Sequence, residues 1–206
     1  RLGIPIIYMN ESQENDPLGR AEWIKLIGLI ARHSQKADSI FASTQKTYVA
    51  LSDLAKGASH KPKVLCETMY QGVWNVAGGD SYAARLIADA GGDYPWKDDS
   101  HTGSLQLPFE SVLAKASDAD LWLIRVFGVN VTLDYLRKQD ERYMLFAPAI
   151  NFSDKNKGIW TADTSKVPFF DETPFHPDLA LKDYIAIFHP NLLPDFSPKY
   201  FTKVSQ

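Results

Sequence analysis

The chain has 206 residues, 45% of them hydrophobic, and a formal net charge of -3. That is enough apolar material for one or two compact units, and the acidic balance without any basic run argues against a nucleic-acid binder. No apolar run approaches the roughly 20 residues of a membrane-spanning helix, and the single cysteine, Cys66, excludes an internal disulfide and argues against a cysteine-based zinc site.

In chain order, residues 4–9 (IPIIYM) are almost uninterruptedly apolar, which predicts a short strand buried on both faces. Asp16-Pro17 is a helix start, with the carboxylate as N-cap and proline in the first helical position. Trp23, Leu26, Ile27 and Ile30 keep helical spacing, and His33-Ser34 breaks it. A second helical pattern runs through Ala37, Ile40, Phe41, Thr44, Tyr48, Leu51 and Leu54 to a stop at Gly57. A helix over 34–56 would be about 35 Å long at about 1.5 Å per residue. That is long enough to join two lobes, and periodicity alone fits an ordinary core helix equally well.

Residues 61–69 read as a strand entered through Pro62, and the glycine-rich segment after it reads as a loop carrying Trp74. Asp80 and Ser81 can cap a helix that buries Ala83, Leu86, Ile87 and Ala90 and closes at Gly91-Gly92. Pro108 opens a short helix; 121–127 is a buried strand, 131–137 a helix and 143–149 another strand. Pro177 opens a last helix to about Phe188, and the proline- and aromatic-rich tail is expected to wrap the surface. Strands alternating with helices predict an α/β fold with a mostly parallel sheet flanked by helices.

Few side chains are arranged for catalysis. Gly78-Gly79-Asp80-Ser81 lacks the lysine of a phosphate-binding P-loop and the third glycine of a dinucleotide fingerprint, and Ser81 is not in a Gly-x-Ser-x-Gly elbow. The histidines are scattered without i, i+4 spacing, which opposes a metal-binding fold; His101, in an aromatic loop, could still approach a metal carried by a ligand. A hydrolase or nucleotide-binding enzyme is the alternative class, and no nucleophile–base pair supports it. Trp74, Trp96, Trp160 and Tyr70 lie in or beside polar loops, where flat rings suit large planar or apolar ligands and partial burial is the ordinary alternative. Arg125 either faces an anionic ligand group or forms a salt bridge. Glu110 sits in the first turn of the Pro108 helix, where the helix dipole favours a carboxylate.

Taken in order, several segments resemble one family. They are Gly3-Ile4-Pro5-Ile6-Ile7-Tyr8, the run from Asp16 to Ile24, the helix over 34–56, Gly78-Gly79-Asp80-Ser81 leading to Asp89-Ala90-Gly91-Gly92, the unit from Glu110 to Leu123, and His176-Pro177-Asp178-Leu179 through Phe188-His189-Pro190. Together they resemble the substrate-binding proteins of ABC importers, in a Bacteroidetes-like branch of the class whose lobes are joined by one rigid helix. The resemblance implies a non-enzymatic, extracytoplasmic binder of an iron-siderophore, haem or cobalamin, membrane-anchored through a segment outside this sequence. It implies that 1–33 is a remnant of an N-terminal lobe, 34–57 the joining helix and 58–206 the ligand-binding lobe. Trp74 would lead the ligand contacts, followed by Trp160, Trp96, Tyr70 and Arg125, and Glu110 would dock onto arginines of the permease. No resident cofactor is implied, because iron or cobalt arrives within the ligand. Without the rest of its lobe, the strand over 4–9 is expected to be orphaned and open to pairing with a second copy.

Overall fold

The structure is a computed structural model that describes residues 6–146, 148–149, 151, 154 and 156–205. A 3-10 turn at Glu11–Gln13 precedes helices Pro17–Glu22 (α1), Ile24–Ile30 (α2) and Ser34–Lys56 (α3). Strands Val64–Cys66 (β1), Met69–Tyr70 (β2) and Val73–Ala77 (β3) follow, then helix Tyr82–Asp89 (α4), strand Ser104–Leu107 (β4), helix Phe109–Ala116 (α5) and strand Leu121–Val126 (β5). Helix Leu133–Gln139 (α6), a 3-10 helix at Glu141–Leu145, strand Gly158–Asp163 (β6), helices Phe169–Glu172 (α7) and Pro177–Phe188 (α8), and strand Thr202–Lys203 (β7) complete the described elements.

This is a mixed α/β fold with a parallel sheet flanked by helices. β1, β5 and β6 run parallel, with Val64 opposite Leu121 and Leu121 opposite Gly158, and β7 closes the β6 side antiparallel. β5 is buried on both faces from Leu121 to Ile124, as the continuous apolar run requires. β2, β3 and β4 form a separate antiparallel sheet. An aromatic cluster joins the two sheets. Trp74 of β3 stacks on Trp122 of β5 with ring centroids 6.0 Å apart, and Phe109, Tyr143 and Phe146 pack around the pair.

α3 is a single helix over the predicted span. Ala37, Phe41, Thr44, Tyr48, Leu51 and Ala55 form its buried stripe, and it packs on α2 near its start and on α8 and α4. The helix predicted before it differs. It breaks at Trp23 into α1 and α2, and of α2 only Gly28 is buried, while Leu29 and Ile30 remain exposed. Gly28 is there for close approach: a Cβ at this position would lie 2.3 Å from the Ala37 Cβ.

Four strand assignments change. The strand expected at 61–69 divides, with Val64–Cys66 forming β1 and Met69 belonging to β2 of the antiparallel sheet. The apolar run at 4–9 forms no strand over its described part, residues 6–9, and Ile6 and Tyr8 are 90% and 82% exposed; residues 4 and 5 lie outside the described residues. In place of the strand expected at 143–149 there is a 3-10 helix ending at Leu145. Tyr143, Phe146 and Ala149 are the buried positions, three residues apart, which is a 3-10 spacing and not the alternation of a strand; residue 147 lies outside the described residues. The third parallel strand is β6, whose glycine, threonine and aspartate hid it within a polar stretch.

The contact between α2 and α3 yields a stability test. Helix propensity alone would make Gly28→Ala favourable by about 1 kcal/mol. The collision is with a Cβ on a neighbouring helix, which no rotamer change relieves, so overpacking of about 1–3 kcal/mol outweighs it. Gly28→Ala should therefore lower the urea midpoint at constant slope, and adding Ala37→Gly should recover part of the loss. An unchanged or raised midpoint for the single variant would show that the helices are not in close contact here.

Candidate functional site

A cavity of about 330 Å³ opens at the C-terminal ends of β1 and β5, the place where open α/β sheets receive ligands. Its walls come from β1 and the residue after it (Cys66, Glu67), β3 and β4 (Asn75, Ser104), the start of α4 (Ser81, Tyr82) and the segment 12–15. A second cavity of about 270 Å³ adjoins it, sharing Asn15, Ser81 and Thr102. The start of α4 is set by Ser81, whose Oγ accepts the Ala84 N–H at 3.2 Å. The preceding loop is held down by Gly79, where a Cβ would come within 2.3 Å of the Asp99 carbonyl.

Glu67 and Arg125 are the centre of this wall. Glu67 has φ +60, a left-handed conformation that costs a non-glycine residue about 1 kcal/mol or more. Three hydrogen bonds fix the chain there. The Glu67 N–H donates to the Leu123 carbonyl at 2.8 Å, the Trp122 indole donates to the Glu67 carbonyl at 2.7 Å, and the Trp74 indole donates to the Cys66 carbonyl at 2.9 Å. The Glu67 carboxylate accepts from Arg125 Nε at 2.5 Å, is contacted by Arg125 Nη2, and accepts the Arg125 backbone N–H at 3.3 Å. The guanidinium also lies over the rings of Phe169 and Phe170, 5.6 and 5.7 Å from their centroids. Burial alone would lower the Arg125 pKa; the Glu67 carboxylate outweighs burial, so the guanidinium is held charged, above its ordinary range.

The tyrosines and the thiol at the cavity are neutral. Burial pushes the Tyr82 phenol up to about 12, against the pull of Arg20 and Arg125, and also raises Tyr94 and Tyr184. The Tyr82 and Tyr94 hydroxyls donate to the carbonyls of Thr173 and Ala77 at 3.0 and 2.7 Å. The Cys66 thiol, half-buried in the wall, is pushed up to about 12, by burial first and by Glu67 second. Among the described residues no group of three or more His, Cys, Asp and Glu side chains is placed to hold a metal ion.

The predicted site residues fall in different places. Arg125 lines the cavity. Trp74 does not: it lies on the inward face of β3, fully buried, because 73–77 alternates as a strand and is not a loop. Trp96 is also core, 4% exposed and packed on Tyr94 at 5.6 Å between centroids. Trp160 belongs to β6, with Lys203 Nζ 6.0 Å from its ring centroid, and Tyr70 is an exposed residue of β2; neither lines the cavity. His101 is exposed and paired with Asp99 at 3.0 Å. Glu110 is an exposed first-turn residue of α5, as expected, but it accepts a hydrogen bond from Arg142 Nη1 at 2.9 Å, and Arg142 also binds Asp140. Glu67 and the tyrosines are the residues that sequence reasoning missed. A Gln71-Gly72 pair between β-prone runs was the available hairpin signal; nothing in the sequence marked Glu67.

Comparison with known proteins adds to this geometry. The sequence profile described as periplasmic binding protein matches residues 1–141. An uncharacterized lipoprotein of Methanocaldococcus jannaschii is 32% identical over 126 residues, 60% of this chain and 30% of its own length. A possible iron-binding (periplasmic solute-binding) protein from Staphylococcus epidermidis superposes with TM-score 0.66 at 13% identity, covering 91% of this chain and 67% of the other. A periplasmic haem-binding protein from Pseudomonas aeruginosa superposes with TM-score 0.64 at 17% identity, covering 93% and 66%. At these identities the two structural likenesses show the fold alone. The chain spans less than a third of the length of the lipoprotein.

The neutral wall can be probed at Cys66. A folded-state pKa of about 12 against about 8.5 for a free thiol leaves roughly a thousandfold less thiolate at pH 8. Iodoacetamide should therefore modify Cys66 at about a thousandth of the rate in denaturant, and the folded-state rate should keep rising about tenfold per pH unit through the ordinary thiol range without levelling off. Rapid alkylation of the folded chain at pH 8 would show an ionised thiol and revive a nucleophile at this wall.

Proposed function

The chain belongs to the periplasmic binding protein family, and from that premise we propose that it is the extracytoplasmic solute-binding component of an ABC importer, which captures an iron chelate or haem and delivers it to the permease. One observation carries this reading: a preformed, ring-walled cavity at the C-terminal ends of the parallel strands, polar yet without a paired nucleophile and base. Ser81 Oγ is engaged as a helix cap and the Cys66 thiol is protonated, so neither is set up as the attacking group of acyl or phosphoryl transfer.

Iron chelates and haem take precedence over cobalamin because the two solved structures above are of a possible iron-binding and a haem-binding protein. The rings at the cavity are tyrosines (Tyr82, Tyr94, Tyr184) and not the tryptophans first expected. In this proposal 58–206 is the ligand-binding lobe, α3 the rigid joint to 1–33, and Glu110, beside Arg142, the charge that orients docking on the permease. No helix among the described residues is long and apolar enough to cross a membrane. A membrane tether outside this sequence is supported by the lipoprotein relative.

Calorimetric titration of the purified chain with ferric chelates and with haem tests the reading: saturable binding of at least one is expected, weakened by Tyr82→Ala. Absence of saturable binding for all of them would overturn it. In cells carrying the whole transporter, Glu110→Ala should leave the folded protein intact, since an exposed ion pair contributes little, while uptake falls. Normal uptake would remove Glu110 from docking.

A further inference from the structure

The charges lining the cavity carry an inference about the cargo, which rests on the proposed function above. The two adjoining cavities present four carboxylates, Glu14, Glu67, Asp16 and Asp80, against two guanidiniums, Arg125 and Arg85. Both cations are already engaged: Arg125 with Glu67, and Arg85 with Asp16 at 3.5 Å. Arg20 reaches only the Tyr82 ring, 5.1 Å from its centroid, and does not line the cavity. Of the two readings of Arg125, an anionic ligand group or a salt bridge, the structure shows the salt bridge, so its charge is already neutralised.

We propose that the cargo turns an uncharged or cationic, hydrogen-bonding face to this wall, so that a neutral ferric chelate is accepted and a polyanionic one is rejected. The Glu67 carboxylate occupies the Nε–Nη2 edge of the Arg125 guanidinium, so an anion could take that edge only by displacing Glu67, and at Nη1 it would meet a charge that Glu67 already neutralises. Glu67 cannot swing aside cheaply, because its backbone is fixed on both sides by Leu123 and Trp122 and its carboxylate accepts the Arg125 backbone N–H as well as the side chain. Displacement would leave a half-buried carboxylate unpaired beside the incoming anion, a cost on both counts. The groups left free to recognise cargo are amides and hydroxyls: Asn15, Asn75, Ser104 and Thr102. They suit the oxygen-rich surface of a neutral chelate. Selection against anions is thus built as a repulsive element, the way specificity is commonly achieved.

The test is a titration of the unaltered chain with three probes: a neutral ferric trihydroxamate, a trianionic ferric triscatecholate, and haem with its two propionates. The trihydroxamate should bind at least about tenfold tighter than the triscatecholate, with the gap narrowing as salt is added. In Glu67→Gln, with circular dichroism confirming the fold, the triscatecholate should gain about tenfold. Equal or tighter binding of the triscatecholate or of haem by the unaltered chain would overturn the charge selection while leaving the proposed function standing. Binding of none would overturn both. An unchanged preference in folded Glu67→Gln would remove Glu67 as its source, and if that variant does not fold, the ratio in the unaltered chain still decides.

Discussion

Two indole N–H groups hold the end of β1 and, through it, the site. Trp74 and Trp122 are fully buried and stacked, and each needs a hydrogen-bond acceptor in the core. They find it in successive carbonyls, those of Cys66 and Glu67. An extended strand points successive carbonyls to opposite sides, so serving two stacked indoles on one side requires the chain to turn, and the left-handed Glu67 is that turn. The same ring stack joins the antiparallel sheet to the parallel one. Core packing and site geometry are therefore one constraint: the rings that fasten the sheets also aim the Glu67 carboxylate at Arg125.

The outcome is a wall in which the Glu67–Arg125 pair and neutral hydroxyls sit among an excess of carboxylates. Arg125 keeps its proton because Glu67 outweighs burial, and the phenols and the thiol keep theirs because burial disfavours the anion. Neither this guanidinium nor these phenols and thiol are poised to gain or lose a proton near neutrality. Such a surface is suited to recognition by shape and hydrogen bonding, in keeping with the carrier role proposed above.

The parts of this that the sequence revealed were those governed by local rules. α3 was legible because a stripe from Ala37 to Ala55 repeats without glycine or proline, and α4 because Ser81 is a cap ahead of an amphipathic run. β5 was legible as a continuous apolar segment. Trp74 was misplaced because Gly72 and Asn75 read as loop, although Gln71 and Gly72, with φ of +51 and +80, are the two-residue turn of a hairpin that pairs Tyr70 with Val73. The site's central pair was illegible in principle. Nothing local marks a glutamate for positive φ; that conformation is imposed by two indoles, Trp74 holding the Cys66 carbonyl 8 residues away and Trp122 holding the Glu67 carbonyl 55 residues away.

The five tryptophans of the chain are consequently unequal as optical reporters. Trp74, Trp122 and Trp96 are shielded from solvent, and the first two sit face to face, so their signal follows the integrity of the ring stack and is lost when the sheets part. Trp23 is different: half-buried on the helical entry segment, its indole N–H donates at 3.2 Å to Glu14, which lines the cavity. A colourless occupant that disturbed Glu14 would change the polarity around Trp23 while leaving the stacked pair untouched. One chain thus carries separate emitters for folding and for occupancy, distinguishable by single tryptophan-to-phenylalanine replacements.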